Sequence, residues 1–220
     1  MKLSFTSLIL GLMLAGLNTL ATAAEPEAGF VSIFNGKDLT GWIGNTKGYK
    51  VESGNIVCDP TAGGGDLFTE KEYPNFVLRF EFKLPPGANN GLGIRAPSTG
   101  NAAYEGFELQ ILDDTHEMYK DIKPYQSHGS LYGLAPAKRG FLKPVGEWNE
   151  EEVTVDGNNI KVVLNGTEIL NVDLQELRSK PSMDGQKHPG LDRTTGHIGF
   201  LGHGDKVEFR NLRIKELPSK

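Results

Sequence analysis

The feature that most constrains the fold is an apolar residue at every second position in several short segments of the chain. In residues 76–83 (FVLRFEFK) the apolar residues share one side, and Arg79, Glu81 and Lys83 share the other. A period of two is typical of β-strands with one buried face. The same alternation recurs in residues 153–155, 160–164, 197–201 and 207–214. The sequence therefore predicts an all-β protein.

Turn signals separate these segments. Asp156-Gly157 and Asn165-Gly166 are dipeptides typical of tight hairpins, because their residues tolerate a positive φ. The chain contains 28 glycines and 12 prolines, which is high for a helix bundle. No helical period extends beyond two turns, and only residues 173–179 favour a short surface helix. We therefore expect an antiparallel sandwich of two sheets.

Composition excludes several classes of function. Hydrophobic residues at 38% and charged residues at 23% support a globular core. A net charge of −5 without a basic run argues against a nucleic-acid partner. The single cysteine, Cys58, excludes an intramolecular disulfide and any cysteine-rich metal site, and we expect it to be a buried strand residue.

The N-terminal segment has the features of a secretory signal peptide. Lys2 precedes an apolar stretch at residues 8–17, and small residues before Glu25 offer a cleavage site near Ala23 or Ala24. The apolar stretch is short for a membrane span. We expect residues 1–24 to be removed and residues 25–220 to form one exported domain, periplasmic or extracellular and without a membrane anchor.

The most informative polar residues lie in residues 91–113. Glu108 and Gln110 alternate with apolar neighbours and therefore share one face of a predicted strand. In the preceding predicted strand, Leu92 and Ile94 point inward and Arg95 lies on the other face, where Gly91 and Gly93 leave open space. Two such strands side by side predict a concave, wet surface; the alternative is an ordinary solvated sheet face.

Asp113 extends this pattern only if the strand contains a bulge. It lies five positions after Glu108, and a regular strand places those two residues on opposite faces. Retaining glucanases with a lectin-like sandwich carry Glu-x-Asp-x-x-Glu across such a bulge. Here Gln110 takes the central place and the last acid is the shorter Asp113, which weakens a glycosidase mechanism with two carboxylates.

Other candidates lie in predicted loops. Residues 125–133 combine His128 and Tyr132 with serines and glycines, as sites for acid–base chemistry often do. His203 lies between glycines in a loop that joins two predicted strands, where it is either a functional or an ordinary exposed residue. Trp148 is either a platform for a sugar ring or a packing residue. The polar stretch 183–193 is predicted to be a long loop or lid.

With these motifs, the chain resembles the 3-keto-disaccharide hydrolase family of secreted bacterial proteins. The resemblance covers nearly all of residues 30–217 in order. The matching segments are 34–42 (FNGKDLTGW), 64–69, 76–83, 90–95, 104–113, 128–133, 143–149, 164–166, 196–204 and 209–211. It implies a concanavalin A-like jelly roll and the cleavage of glycosides that are oxidised at C3. The alternatives are a lectin-like carbohydrate-binding module and a retaining two-carboxylate glycosidase on the same fold.

The chemistry of a 3-keto sugar suggests a role for each candidate. The keto group acidifies C2–H, so a base can start a β-elimination that breaks the C1–O bond, and hydration then gives net hydrolysis. We expect Glu108 or His203 as the base, Asp113 as the acid or an orienting group, and Arg95 as the stabiliser of the enolate. The side chains expected to bind the sugar are those of Gln110, His128, Tyr132 and Trp148.

The sequence requires no cofactor, but it leaves a divalent metal open. Glu108, Asp113 and His203 offer oxygen and imidazole ligands that suit such an ion, which would replace Arg95 as the electrophile. The expected partner is a glycoside or oligosaccharide substrate, and the oligomeric state is left open.

Overall fold

The alternating segments form strands in the computed structural model, which describes residues 27–218. The strands are β1 (Val31–Ser32), β2 (Trp42–Gly44), β3 (Tyr49–Glu52), β4 (Asn55–Cys58), β5 (Gly65–Glu72), β6 (Phe76–Lys83), β7 (Asn89–Ala96), β8 (Phe107–Leu112), β9 (Trp148–Asp156), β10 (Asn159–Leu164), β11 (Thr167–Asp173), β12 (His197–Gly202) and β13 (Glu208–Glu216). Two short helices, α1 (Ala102–Glu105) and α2 (Leu174–Arg178), connect them, together with 3-10 turns at 46–48, 60–62, 117–119, 124–126 and 189–192.

These strands build two antiparallel sheets. The first sheet has the order β11-β10-β9-β6-β13-β4-β3, with β1 also paired to β13. The second sheet has the order β2-β5-β12-β7-β8. In the second sheet β12 lies between strands that are distant from it in sequence, because it pairs with both β5 and β7. The predicted all-β, antiparallel two-sheet sandwich is confirmed.

The core lies between the two sheets and is rich in aromatic rings. Phe200 of β12 stacks on Phe209 of β13, with ring centroids 3.6 Å apart, and so joins the second sheet to the first. Trp42 of β2 stacks on the same Phe200 ring at 5.8 Å. Each fully buried side chain of this size stabilises the fold by about 1.5–3 kcal/mol. The alternation of apolar and polar residues along each strand therefore determines which face of the strand is buried.

Two hairpins form at the predicted dipeptides. Gly157 has a φ of 61° between β9 and β10, while Asn165 and Gly166 have φ values of 49° and 83° between β10 and β11. Two successive positive φ values match the twist of the flanking strands. α2 forms in the expected segment, where the Asp173 carboxylate accepts a hydrogen bond from the Gln175 N–H over 2.7 Å.

The outer edge of β8 is covered by the segment 127–132. Gly129 N donates to Gln110 O over 2.7 Å, and Tyr132 N donates to Glu108 O over 2.9 Å. Covering this edge satisfies backbone groups that would otherwise be unpaired. It also brings Tyr132 beside the polar residues of β8.

Three further expectations concern Cys58, the N-terminal segment and membrane-spanning helices. Cys58 is fully buried at the end of β4, as predicted. The predicted signal peptide, residues 1–24, lies outside the described residues. Within residues 27–218, no helix has the length and apolar character needed to cross a membrane.

Candidate functional site

A pocket of about 300 Å³ opens on the face of the second sheet that points away from the core, at β7 and β8. Its floor consists of polar side chains from the two strands, and its walls come from α1, the loops 113–132 and the turn after β12. The lining residues are Asn89, Asn101, Ala103, Tyr104, Glu108, Gln110, Leu112, Tyr119, Ile122, Gln126, Tyr132 and His203.

Alternation along β8 explains why this floor is polar. Leu109 belongs to the core, so Glu108 and Gln110 point to the opposite face. Across the pair, Gly93 is opposite Glu108 and Gly91 is opposite Gln110. A Cβ atom at position 91 would overlap the carboxyl group of Glu108. The missing side chain at Gly91 therefore makes the space in which that carboxyl group lies.

The carboxyl group of Glu108 is buried, with 6% of the residue exposed. Burial, and then the negative charge of Asp66, raises the pKa of Glu108 to about 8. Among residues 27–218 no cation forms an ion pair with it, while the Gln110 amide, with its nitrogen oriented toward Glu108, donates to Oε1 over 3.1 Å. Glu108 is thus mainly protonated at neutral pH and can donate a proton or a hydrogen bond.

Asp66 is a residue that sequence reasoning missed. It lies half-buried on β5, and burial raises the pKa of its carboxyl group, while the charge of His203 acts in the opposite direction. Its influence on Glu108 requires β5, β12, β7 and β8 to be side by side. In the sequence, alternation with the apolar Leu67 indicates that Asp66 faces away from the core. It does not reveal that β5 and β8 belong to the same sheet.

His203 occupies the exposed turn between β12 and β13, and its side chain lines the pocket. The turn is tied to β7, because Asp205 Oδ2 accepts a hydrogen bond from the Asn89 N–H over 2.9 Å. His203 and the buried Glu108 line the same pocket, so an imidazole and a carboxylic acid are both available there for proton transfer to or from a ligand.

Tyrosine rings form one wall of the pocket. Tyr104 of α1 packs edge to face against Tyr132, with centroids 6.5 Å apart, and Tyr119 donates its hydroxyl to Gly87 O over 3.1 Å. Such rings offer an apolar surface and a polar tip, as sugar-binding surfaces require. Tyr132 was a candidate from the sequence, whereas Tyr104 and Tyr119 were not.

Arg95 does not reach this pocket, contrary to the sequence-based expectation. A bulge in β7 places both Ile94 and Arg95 opposite one residue of β12, and Arg95 has a φ of 46°. Its guanidinium group is buried and donates to the carbonyl oxygens of Pro74 (3.1 Å), Arg193 (3.2 Å) and Gly157 (2.8 Å). The structure therefore corrects Arg95 from an enolate stabiliser to a residue that ties three chain segments together.

The bulge that Asp113 would need in order to lie beside Glu108 is absent from β8. The pairing of β7 with β8 is continuous from Asn89–Leu112 to Ile94–Phe107. Asp113 consequently follows the end of β8 and does not join Glu108. Its Oδ2 accepts from Gly87 N over 2.8 Å, and its Oδ1 accepts from the Thr115 hydroxyl over 2.6 Å. Asp113 holds two loops and does not line the pocket.

His128 also lies away from the pocket, inside the sandwich. Its Nε2 is 3.0 Å from Oε2 of Glu151, and its Nδ1 accepts a hydrogen bond from Leu112 N over 3.3 Å. Its ring lies 5.0 Å from that of Phe82. The loop packs against the first sheet and turns the His128 side chain inward. The predicted contact between His128 and the substrate is therefore corrected to a contact in the interior.

Trp148 is on β9 in the first sheet, distant in the fold from β7 and β8. Its ring is covered by cations, with Lys83 Nζ at 4.9 Å and the Arg210 guanidinium at 3.9 Å. The predicted sugar platform is therefore corrected to a packing residue. Residues 27–218 contain no group of three or more His, Cys, Asp or Glu placed to hold a metal ion, so the candidate ligands Glu108, Asp113 and His203 do not lie together as such a group.

Comparisons with known proteins identify relatives that act on carbohydrates by name. Residues 29–215 match the family model of the 3-keto-alpha-glucoside-1,2-lyase-like domain. A 3-keto-disaccharide hydrolase of Bacteroides thetaiotaomicron is 30% identical in an alignment that covers 86% of this chain and 79% of that protein.

Solved structures share the fold. The crystal structure of a candidate glycosyl hydrolase from Parabacteroides distasonis is 29% identical, covering 86% of this chain and 99% of that chain, with a TM-score of 0.75. A Bacillus subtilis protein with a galectin-like fold is 12% identical over 83% of this chain and 92% of its own, with a TM-score of 0.54. The latter likeness concerns the fold alone.

Proposed function

The chain belongs to the 3-keto-alpha-glucoside-1,2-lyase-like family, and we propose from this that it cleaves the glycosidic bond of glycosides oxidised at C3. The reaction takes place in the pocket that contains Glu108 and His203. The observation that carries the proposal is the buried Glu108 carboxyl group, whose pKa of about 8 keeps it protonated at neutral pH.

A protonated carboxyl group suits a keto sugar. Loss of the proton at C2 gives an enolate whose charge develops on the C3 oxygen, and a hydrogen-bond donor placed at that oxygen stabilises it. A carboxylic acid that an apolar site keeps neutral is a donor of this kind. Glu108 thus takes the role that the sequence had suggested for Arg95.

His203 is the base in this proposal. Its imidazole takes the proton from C2, and the C2–H electrons form the enolate. The same imidazole then returns the proton to the leaving oxygen as the C1–O bond breaks, which leaves an enone. Water adds to C1, and a proton returns to C2, so the overall result is hydrolysis.

The other polar groups of the pocket bind the sugar. Gln110, Asn89 and Tyr132 face the same space and provide amide and hydroxyl groups for the sugar hydroxyls. The volume of about 300 Å³ accommodates one sugar ring, with the leaving group toward the opening.

A two-carboxylate glycosidase is the second candidate function. Asp66 contributes to the raised pKa of Glu108, so two carboxyl groups influence each other at this face of the sheet. A protonated acid and a second carboxylate are the groups that such enzymes need. In this case Asp66, and not Asp113, is the partner of Glu108.

One experiment separates these functions. Purified protein is given a 3-keto glycoside and the matching unoxidised glycoside, and product is measured by chromatography. We expect cleavage of the 3-keto glycoside only, with a strong loss of activity in Glu108→Gln and none in the exposed control Glu147→Gln. Equal cleavage of both substrates supports the glycosidase, and binding without product in calorimetry supports a lectin-like module.

A further inference from the structure

The two carboxyl oxygens of Glu108 have different surroundings. Gly91 of β7 lies opposite Gln110, and a Cβ atom at position 91 would overlap the Glu108 side chain. Of the two oxygens, Oε1 lies closest to the position of that absent Cβ atom, and Oε2 is farther from it. Oε1 therefore lies against the neighbouring strand of the pocket floor.

The backbone carbonyl of Asn90 determines the orientation of the Gln110 amide. One end of this amide lies 3.2 Å from the Asn90 carbonyl oxygen and 3.1 Å from Oε1 of Glu108. A carbonyl oxygen only accepts hydrogen bonds, so the amide atom beside it is the nitrogen. The other end, the amide oxygen, lies 3.3 Å from the side-chain amide of Asn89, which offers a donor as well as an acceptor.

The two amide protons of Gln110 therefore have two acceptors, the Asn90 carbonyl and Oε1 of Glu108. A protonated carboxyl group has one carbonyl oxygen and one hydroxyl oxygen, and the carbonyl oxygen is the stronger acceptor. The N–H from Gln110 thus favours Oε1 as the carbonyl oxygen. Within residues 27–218 no group forms a hydrogen bond with Oε2, and Glu108 lines the pocket.

We propose that Gln110 is a positioning residue that places the carboxyl proton of Glu108 on Oε2, where it is available to the substrate. The inference rests on the proposed function, in which this carboxyl group donates a hydrogen bond to the C3 oxygen of a 3-keto sugar. A donor that is already in place needs no rearrangement as negative charge develops on the enolate oxygen. Without Gln110, either oxygen of Glu108 can carry the proton, and part of the protein presents a carbonyl oxygen to the enolate.

The position of the proton is tested without any substrate, by infrared spectroscopy at pH 6. The carbonyl stretching band of protonated Glu108 is assigned by its loss in Glu108→Gln, and a hydrogen bond to the carbonyl oxygen lowers the frequency of this band. We expect Gln110→Met to shift the band to higher frequency, because methionine fills a similar volume without a donor. The matched control is Gln175→Met at an exposed position of α2, which should leave the band unchanged.

Each other result of the infrared measurement has a definite meaning. An unchanged band in Gln110→Met overturns the proposal, because Oε1 is then not a carbonyl oxygen bound by the amide. A band that is absent from the wild type means that Glu108 is ionised, which contradicts both the proposal and the proposed role of Glu108. If Gln110→Met does not fold, as judged by circular dichroism, Gln110→Val replaces it, since valine suits a strand and also lacks a donor.

The effect on the reaction is tested by the kinetics of 3-keto glycoside cleavage. We expect Gln110→Met to lower kcat about tenfold with little change in KM, because the donor acts where charge develops in the transition state. The same change should cause no further loss of kcat in Glu108→Gln, whose side chain has no carboxyl proton. A similar loss in both backgrounds, or a raised KM at unchanged kcat, shows that Gln110 only contacts the sugar, and either result overturns the proposal.

The two measurements separate this proposal from the proposed function. If the band shifts as expected but no 3-keto glycoside is cleaved, Gln110 places the proton and the proposed reaction is wrong. If the glycoside is cleaved but the band does not respond to Gln110→Met, the proposed reaction stands and the role of Gln110 fails.

Discussion

The carboxyl group of Glu108 on β8 lies over Gly91 on β7, in the volume that a side chain at position 91 would fill. The two residues are not directly opposite each other, since Gly91 pairs with Gln110. The Glu108 side chain therefore leans diagonally across the sheet. This arrangement removes the carboxyl group from water and raises its pKa.

Gly91→Ala should remove activity without unfolding the protein. Gly91 has no positive φ, so the backbone accepts alanine, but the new Cβ would displace the Glu108 carboxyl group. We expect kcat/KM for a 3-keto glycoside to fall at least tenfold while the melting temperature changes little. Gly93→Ala on the same face is the matched control, because its Cβ meets Leu201 instead. Equal activity of both variants would contradict the assigned position of Glu108.

The stability of the protein should depend on the ionisation of Glu108. Its pKa rises from 4.5 to about 8 on folding, so the folded state binds the proton more tightly. The stabilisation by the proton is complete below pH 4.5 and is lost as the pH rises through 8. At about 1.4 kcal/mol per pKa unit, the loss amounts to a few kcal/mol.

Urea unfolding of wild type and Glu108→Gln at pH 5, 6.5 and 8 checks this dependence. Glutamine stays neutral, so the variant should gain stability relative to wild type as the pH increases. Glu147→Gln, an exposed control, should follow the wild type. If the unfolding free energies of wild type and Glu108→Gln change with pH in parallel, the pKa of Glu108 is not raised.

Arg95→Met should affect stability and not chemistry. The change leaves the carbonyl oxygens of Pro74, Arg193 and Gly157 without their donor, which costs about 2–4 kcal/mol of unfolding free energy. The pocket is lined by other residues, so kcat of the folded fraction should remain near that of wild type. A hundredfold loss of kcat at unchanged stability would restore the catalytic role predicted from the sequence.

His128→Leu should destabilise the protein through Glu151. The Glu151 side chain is 0% exposed, and removal of its imidazole partner leaves the buried carboxyl group without its hydrogen-bond donor, at about 1–3 kcal/mol. The second change, Glu151→Leu, should recover most of this loss, as measured by chemical unfolding. Weaker sugar binding with unchanged stability would instead support His128 as a contact of the substrate.

The sequence could predict what depends on local pattern. Residues 76–83 form β6 with the predicted faces, and Glu108 and Gln110 share a face because Leu109 between them is buried. The Asn-Gly hairpin follows from the two residues alone. Each of these features is decided within a few residues, by alternation or by backbone conformation.

Features that depend on distant pairing could not be predicted. The bulge at Ile94 and Arg95 arises from the register with β12, about 100 residues later, and it turns the Arg95 side chain into another part of the fold. Asp66 and Glu108 lie in the same sheet only because β12 pairs with both β5 and β7 and so joins β5 to β7 and β8. His128 turns inward because its imidazole forms a hydrogen bond with the buried Glu151 side chain on β9. No local pattern contains these relationships.

The most direct test of the proposed chemistry follows the hydrogen at C2. A 3-keto glycoside is cleaved in D₂O, and the product is examined by proton NMR at early times, with Glu108→Gln as the background for spontaneous exchange. Elimination through C2 followed by hydration predicts deuterium at C2 of the newly formed 3-keto sugar. Cleavage that leaves the C2 proton in place would contradict the account and indicate direct displacement at C1.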